Sequence, residues 1–321
     1  MRDSAFARPL RVAVLMGGRS SEREVSLRSG AAAAEALAAL GHEVIPIDVS
    51  GPELEELQAA RPEVAFVALH GRFGEDGGVQ RRCEQLGIPY TGSGPEASAR
   101  AFDKAVARRR FAGAGLAVPE GLVVRPPLVH AWLWQAVRSL GGAAVCKPAA
   151  EGSSIGVHLV RTPEQLAQAL AELEPMGGPI LLERYIAGRE LTVAVLGESA
   201  LPVVEVIPRG ALYDYRAKYD PEAGTRYHVD PPLSEAVRGA VVGAALAAHR
   251  ALGCEGLSRV DMRLDTTGRP VVLEVNTIPG LTRTSLLPKA AAAAGIGLGQ
   301  LCERLLAHAL ARAGRSLEAA A

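Results

Sequence analysis

Between Arg259 and Asn276 the chain reads Arg-Val-Asp-Met-Arg-Leu-Asp-Thr-Thr-Gly-Arg-Pro-Val-Val-Leu-Glu-Val-Asn, which sets charged side chains inside a hairpin pattern. Asp265-Thr-Thr-Gly268 has turn chemistry, and both flanks alternate with period two. With the turn centred between Thr267 and Gly268, Asp261 faces Glu274 and Arg259 faces Asn276. Opposed carboxylates repel, and a half-buried face tolerates them when a cation lies between. An all-oxygen set of Asp261, Glu274 and the Asn276 amide suits Mg2+, with water and phosphate completing the shell. A slip of two residues changes the partners but leaves all four on one face. Taken alone, the segment also fits a solvated hairpin face with unrelated charges.

Four other segments carry side chains suited to a charged small molecule. Gly17-Gly18-Arg-Ser-Ser-Glu22-Arg-Glu-Val-Ser26 follows an apolar run and lacks the G-x-G-x-x-G fingerprint of dinucleotide sites. Its serines and glutamates suit helix capping, and the sharper reading gives Glu22 a substrate ammonium. His70-Gly-Arg-Phe-Gly-Glu-Asp-Gly-Gly78 follows another apolar run, and its glycines let the loop approach a ligand closely. Lys104, Lys147 and the loop Glu151-Gly-Ser153-Ser154-Ile-Gly156 supply point charges and wrapping backbone N–H groups, the needs of a triphosphate, without the Walker spacing. Glu183-Arg184-Tyr185-Ile186, then Glu190, fits a hinge reading adenine through its backbone and ribose through a carboxylate. A plain amphipathic strand accounts for the same residues. Gly210 to Tyr227 is too polar and aromatic for a strand and has the length of a lid. Asn276 to Leu286 leads into a helix with Ser285 at its cap, an end that attracts carboxylates.

The elements that must position these groups alternate. Strands at Leu10–Met16, Glu43–Val49 and Val64–Leu69 are separated by helices at Ser26–Leu40 and Leu54–Ala60, an order that makes a parallel sheet covered by helices. A helix over Glu96–Ala114 follows. Strands are expected at 118–124, 144–147, 157–160 and 180–184, with helices at 129–140 and 162–173. A third unit holds strands at 191–196 and 201–207, a helix at 234–252, the hairpin, and a helix at 285–294. The expected fold is therefore α/β with three units: 1–92, 93–185, and 186–321 with its lid at 210–227.

Composition agrees with a globular chain. Of 321 residues, 48% are hydrophobic and 22% charged, enough for several cores. The 35 Lys and Arg balance the 35 Asp and Glu, so the totals hold no footprint for nucleic acid and favour a small-molecule partner. Cys83, Cys146, Cys254 and Cys302 are far apart with no zinc spacing, which makes them free thiols of a reducing compartment and the cytoplasm the expected location. No run has the length of a membrane span. Met1 to Pro9 is too short and polar for a signal peptide and reads as a frayed tail.

Taken in order, GGxSxEREVSL, HGxxGEDGxxQ, Asp103-Lys104, KPxxEGSSxGV, YDYxAKY, RxD and ExNTxPGxTxxSL resemble the blocks of the D-alanine:D-alanine ligases of the ATP-grasp superfamily, from Val12 to about Leu310. The resemblance implies an ATP-grasp architecture, an N-terminal parallel α/β domain plus two α+β domains sandwiching the nucleotide. It implies ATP-dependent joining of two D-alanines through an acyl phosphate for peptidoglycan precursors, in a cytoplasmic homodimer. It also implies adenine at Glu183, Arg184, Tyr185 and Ile186, ribose at Glu190, and phosphates at Lys104, Lys147, Glu151, Ser153 and Ser154. Two divalent ions, Mg2+ or Mn2+, would lie at Asp261, Glu274 and Asn276. Glu22 and His70 would take the first D-alanine, and Lys218, Ser285 and Leu286 the carboxylate of the second. Arg259 and the Gly280 N–H would face the oxyanion, and Tyr219, Ser153 and Glu22 would form a hydrogen-bonded triad closing the lid. A depsipeptide ligase accepting D-lactate is the alternative, against which the Lys218-Tyr219 pattern speaks. Two residues depart from the family pattern: Arg216, where an acidic residue is common, and Cys146, where valine is usual.

Overall fold

The fold is described from a computed structural model over residues 4–320, with the side chains at 219, 221 and 315–320 outside the described set. Its first sheet is parallel, in the order β2-β1-β3: β1 (Arg11–Gly17), β2 (Glu43–Val49) and β3 (Val64–Val67). Four successive residues of β1, Val12 to Leu15, are buried, as expected of a central strand covered on both faces. Val12, Val14 and Phe66 face one core, together with α1 (Arg23–Ala39). Ala13, Leu15 and Val67 face another, with α2 (Glu55–Ala60) and α3 (Gly78–Leu86).

The helix expected over Glu96–Ala114 is two helices, α4 (Pro95–Phe102) and α5 (Lys104–Gly113). The break is chemical: Asp103 leaves helical geometry and its carboxylate accepts the Ala105 and Val106 N–H groups, so it caps the second helix and sets Lys104 in its first turn. A second sheet follows, antiparallel in the order β4-β7-β5-β6. Its elements are β4 (Gly121–Val124), α6 (His130–Ser139), β5 (Ala144–Pro148), β6 (His158–Val160), α7 (Pro163–Leu173) and β7 (Ile180–Arg184). The strand expected from Val118 begins only at Gly121, after Pro119, which cannot donate to a ladder. Helices α6 and α7 cover one face through Leu133, Val137, Leu166 and Leu170, leaving the other face, with Lys147 and Glu183, to the site. Cys146 stands on the covered face as a small apolar side chain, its thiol pushed up to about 12 by burial.

The third sheet runs β11-β10-β8-β12-β13, with β9 on β8. It comprises β8 (Arg189–Leu196), β9 (Ser199–Ala200), β10 (Val204–Ile207), then α8 (Tyr215–Tyr219), β11 (Arg226–Val229), α9 (Glu235–Leu252), β12 (Leu257–Leu264) and β13 (Pro270–Asn276). The strand expected from Leu201 starts at Val204, past Pro202, and the last residues of the expected lid, Arg226 and Tyr227, belong to β11. Two final helices are α10 (Leu286–Ala293) and α11 (Leu298–Ala320). Neither α3 nor α11 was expected from sequence.

Packing does not respect the boundaries read at 93 and 186. Helices α4 and α5 lie on α9 and β13 of the third sheet, with Ala101, Ala107 and Phe111 in that core. Helix α11 packs on α1, and Leu301, Leu305 and Leu306 share a core with Val12 and Phe66. The leader is also held where it is described. Glu303 accepts from Ser4 Oγ (2.5 Å) and Ala5 N (2.8 Å), and the Phe6 ring meets His42 edge-on. A frayed tail is thus replaced by a strap over α11, because a buried carboxylate needs donors.

Candidate active site

Glu22 closes the turn between β1 and α1. It is buried and does not cap its helix; its Oε1 accepts the Ser153 hydroxyl instead, and its Oε2 is buried with no hydrogen-bond partner among the described residues. Burial raises its pKa. An unsatisfied carboxylate oxygen is costly, and an ammonium in the adjoining cavity would satisfy it. His70, also buried, sets Nε2 3.1 Å from Ser29 Oγ, and that hydroxyl accepts the Leu281 N–H (3.3 Å). Burial pushes its pKa down to about 4, so the ring is neutral near pH 7. Glu75 joins this group and was missed from sequence. It accepts the Gly71 N–H at 2.7 Å, and burial with the charge of Glu22 pushes its pKa up to about 8. The signal was an acid between glycines in a loop already marked for its closeness to ligand.

The loop after β5 approaches α1 only because residue 152 is glycine: a Cβ there would stand 2.0 Å from Glu22 Oε2. Ser153 and Ser154 follow with φ of 49° and 56°, a left-handed pair unusual for serine, in a turn of the kind whose backbone N–H groups can form a concavity for an anion. Lys104 Nζ donates to the Glu151 carbonyl (2.5 Å) and lies 3.5 Å from Glu274. The Glu151 carboxylate turns away to Arg72 at 2.8 Å, so this residue faces the lysine through its backbone. Lys147 pairs with Glu183 at 2.7 Å, with both side chains less than one-tenth exposed. Against the downward push of burial, Glu183 and Glu274 hold the Lys147 ammonium above its ordinary value. Along 184–186, the Arg184 side chain pairs outward with Glu120, the Arg161 and Arg263 guanidinium groups each lie 5.7 Å from the Tyr185 ring centre, and the Ile186 carbonyl accepts from Arg263. Arg263 also holds Glu190 at 2.9 Å.

On the hairpin Asp261 pairs with Glu274 and Arg259 with Asn276, as expected, through a different route. The ladder is one residue out of step nearer the turn, where Met262 meets Val272, and a bulge at Leu273 restores the pairing. Each carboxylate has its own cation: Arg259 grips Asp261 with two bonds (2.8 and 2.6 Å), and Lys104 stands by Glu274. Thr192 also donates to Asp261. Burial pushes Glu274 up, but Lys104, Lys218, Lys147 and Arg259 hold it down to about 2. Among the described residues no cluster of three His, Cys, Asp or Glu side chains forms a metal cage. The set on the hairpin is two carboxylates and an amide oxygen, hard donors of the kind that suit Mg2+.

Two cavities meet at this hairpin. One, about 230 Å³, holds Glu22, His70, Glu75 and Ser285; the other, about 100 Å³, lies between the second and third sheets with Lys147, Glu183 and Glu190. Lys104, Glu151, Tyr213, Lys218 and Glu274 line both. Residues 11–58 and 51–93 match the D-ala D-ala ligase N-terminus, and residues 112–307 match the D-ala D-ala ligase C-terminus. The chain belongs to the D-alanine–D-alanine ligase family. It is 50% identical over 304 residues to the D-alanine–D-alanine ligase of Anaeromyxobacter dehalogenans (strain 2CP-1 / ATCC BAA-258), covering 94% of this chain and 98% of that one. To the corresponding ligase of Gluconobacter oxydans (strain 621H) it is 48% identical over 311 residues, covering 94% and 100%. The crystal structure of the Bacillus anthracis ligase complexed with ATP superposes with a TM-score of 0.84 at 31% identity, covering 96% and 99%, so the architecture is ATP-grasp.

The remaining family positions are also near. Lys218 lines both cavities, and Gly280, Ser285 and Leu286 line the larger. Ser285 precedes α10 but does not cap it with its side chain; its hydroxyl bonds Thr282 at 2.8 Å. The backbone of Tyr219 ends α8, while its side chain lies outside the described set. Arg216 pairs with Asp220 one turn on, within the lid, so its departure from the family pattern is absorbed locally. No described helix is long and apolar enough to cross a membrane.

Proposed function

We propose that the protein joins two D-alanine molecules at the expense of ATP, forming D-alanyl-D-alanine, ADP and phosphate, for peptidoglycan precursors. The observation that carries this reading is the meeting of two cavities at Lys104, Lys218 and Glu274, one with the unpartnered Glu22 oxygen and the other between two sheets. ATP would lie in the smaller, its adenine along the backbone of 183–186, its ribose at the Glu190 carboxylate and its phosphates against Lys104, Lys147 and the Ser153-Ser154 concavity. The first D-alanine would set its ammonium on Glu22, with neutral His70 beside it, and turn its carboxylate towards the shared wall.

A carboxylate is a poor electrophile, so one of its oxygens first attacks the γ-phosphorus and ADP leaves, giving an acyl phosphate; Lys104 and Lys147 offset the charge on the transferred group. The amine of the second D-alanine, its carboxylate held by Ser285, the Leu286 N–H and Lys218, then attacks the carbonyl carbon and passes its proton to the Tyr219–Ser153–Glu22 triad that the family resemblance implies. Arg259 and the Gly280 N–H face the resulting oxyanion, which collapses with loss of phosphate. Asp261, Glu274 and Asn276 would hold Mg2+, or Mn2+, which when bound would offset negative charge on the phosphates. Ser153 and Glu22, with Tyr219 by family resemblance, would tie the phosphate loop and lid over the intermediate and exclude water.

The test is a panel of D-alanine, L-alanine, D-serine and D-lactate with ATP and Mg2+ across pH, followed by ADP release and product mass. The expected result is ADP release that requires D-alanine and yields the dipeptide. Release with no amino acid, or with L-alanine alone, would sink the reading, and a product with D-lactate at low pH would move it to a depsipeptide ligase.

A further inference from the structure

Helix α8 has only five residues, too short to hold itself in water, yet it carries Lys218 into the wall shared by both cavities. The charge of Lys218 acts on Glu22, Glu190 and Glu274, carboxylates from three separate elements, but none of them is within ion-pair distance of it among the described residues. Its ammonium instead lies 5.2 Å from the centre of the Tyr213 ring. Tyr213 is held at its ring by Tyr227 and at its backbone by Ser154. Its hydroxyl is 3.0 Å from the Tyr227 hydroxyl, its edge meets Tyr227 at 6.3 Å and 78°, and its backbone carbonyl accepts the Ser154 hydroxyl at 3.1 Å. Tyr227 is itself rigid: it pairs with Val206 on β10 and carries the Lys289 ammonium 5.4 Å from its ring centre.

We infer that Tyr213 and Tyr227 are a positioning couple, which clasps the neck of the lid and presents Lys218 at the junction of the two cavities. Neither tyrosine is a catalytic residue; both act through Lys218. The inference rests on the ligase reading for its kinetic arm and on geometry alone for its structural arm. Residues 213 and 227 stand at opposite ends of the lid, so their hydroxyl pair closes the segment holding α8 into a loop. The tie to Ser154 makes the phosphate loop and the lid move together.

The experiment compares wild type with Tyr213→Phe, Tyr227→Phe, the double Phe variant and Tyr213→Leu, after thermal melting has shown each to be folded. One lost hydrogen bond predicts about a fivefold fall in kcat for each single Phe variant, with KM for ATP and for the first D-alanine unchanged within about twofold. Because both hydroxyls belong to one bond, the double Phe variant should be no worse than either single. Tyr213→Leu also removes the ring under Lys218 and should fall further, by about tenfold or more. In parallel, limited trypsin cleavage after Arg216 or Lys218 should quicken about fivefold in every Phe variant. Losses that multiply in the double variant, a Leu variant no worse than Phe, or unchanged trypsin rates would overturn the inference. Absence of D-alanine-dependent ADP release in wild type would instead remove the ligase reading, while the trypsin arm would still judge the clasp.

Discussion

Lys147 and Glu183 show how one residue's environment sets the consequence of losing it. Both are buried, and Glu183 has a second cation, Arg108, at 3.7 Å. Removing one partner of a buried pair leaves an uncompensated charge, a cost of about 3–5 kcal/mol. The two partners are unequal here: Glu183→Gln takes the ion-pair partner from both Lys147 and Arg108, leaving Lys147 only the charge of Glu274, whereas Lys147→Met leaves Glu183 with Arg108. Urea denaturation should therefore show the Gln variant losing more stability than the Met variant, and the reverse order would mean Arg108 does not serve Glu183. The Glu75 and His70 end of the larger cavity makes a pH prediction. Glu75, raised to about 8, keeps its proton when folded while the unfolded chain releases it above about 4.5, so its contribution is complete at low pH and lost as pH rises to 8. His70, lowered to about 4, has the opposite sign: its contribution is present above 6.5 and lost as pH falls towards 4. The slopes oppose between about 4.5 and 6.5, leaving a net fall from 6.5 to 8 whose limit from one group is about 1.4 kcal/mol per pH unit. Denaturant midpoints of Glu75→Gln should be flatter than wild type across that upper window.

At the scale of elements, much of the site depends on where an element is interrupted. Alanine-rich composition and apolar spacing predict one helix over Glu96–Ala114, and nothing in helix propensity marks a break at Phe102. Asp103 makes it by capping, and so points the next residue, Lys104, at the loop that begins at Glu151. Asp103→Ala should cost about 1 kcal/mol of stability and weaken ATP binding as Lys104 loses its place, read by denaturation and by KM for ATP. A stability loss with KM unchanged would separate the cap from the site. The hairpin shows the same dependence. Its period-two pattern located the acidic pair and its partners, but the bulge at Leu273 breaks the phase between the two flanks, so that Val271 and Val272 are both buried, and a pattern read with one register does not show it.

For the whole molecule, the N-terminal strap joins distant parts of the chain. His42 accepts the Leu10 N–H through Nδ1 and faces Glu303 through Nε2 at 3.0 Å, and Glu303 also accepts from Ser4 and Ala5. Burial raises Glu303, while Ser4, Ala5 and His42 together hold it below its ordinary value. Glu303→Leu would leave those donors unsatisfied at the contact between β1, α1 and α11. A loss of about 2–3 kcal/mol is expected, together with faster proteolysis of the leader. Unchanged protection of residues 4–6 would show that the strap does not depend on this carboxylate.

The sequence by itself determined the alternation of strands and helices, the hairpin and the residues gathered along it, because periodicity and turn chemistry are local and each motif lies within a few residues of itself. It also determined the family, since seven blocks in fixed order leave little freedom. Only the tertiary structure decided which charges pair: Glu151 with Arg72, Lys147 with Glu183, Glu190 with Arg263. Those choices rest on the closeness of segments 36 to 79 positions apart in the chain and on how far each carboxylate is desolvated, quantities that no local pattern carries. Glu75 was overlooked for that reason: its role comes from being buried beside Glu22, and burial belongs to the packed molecule.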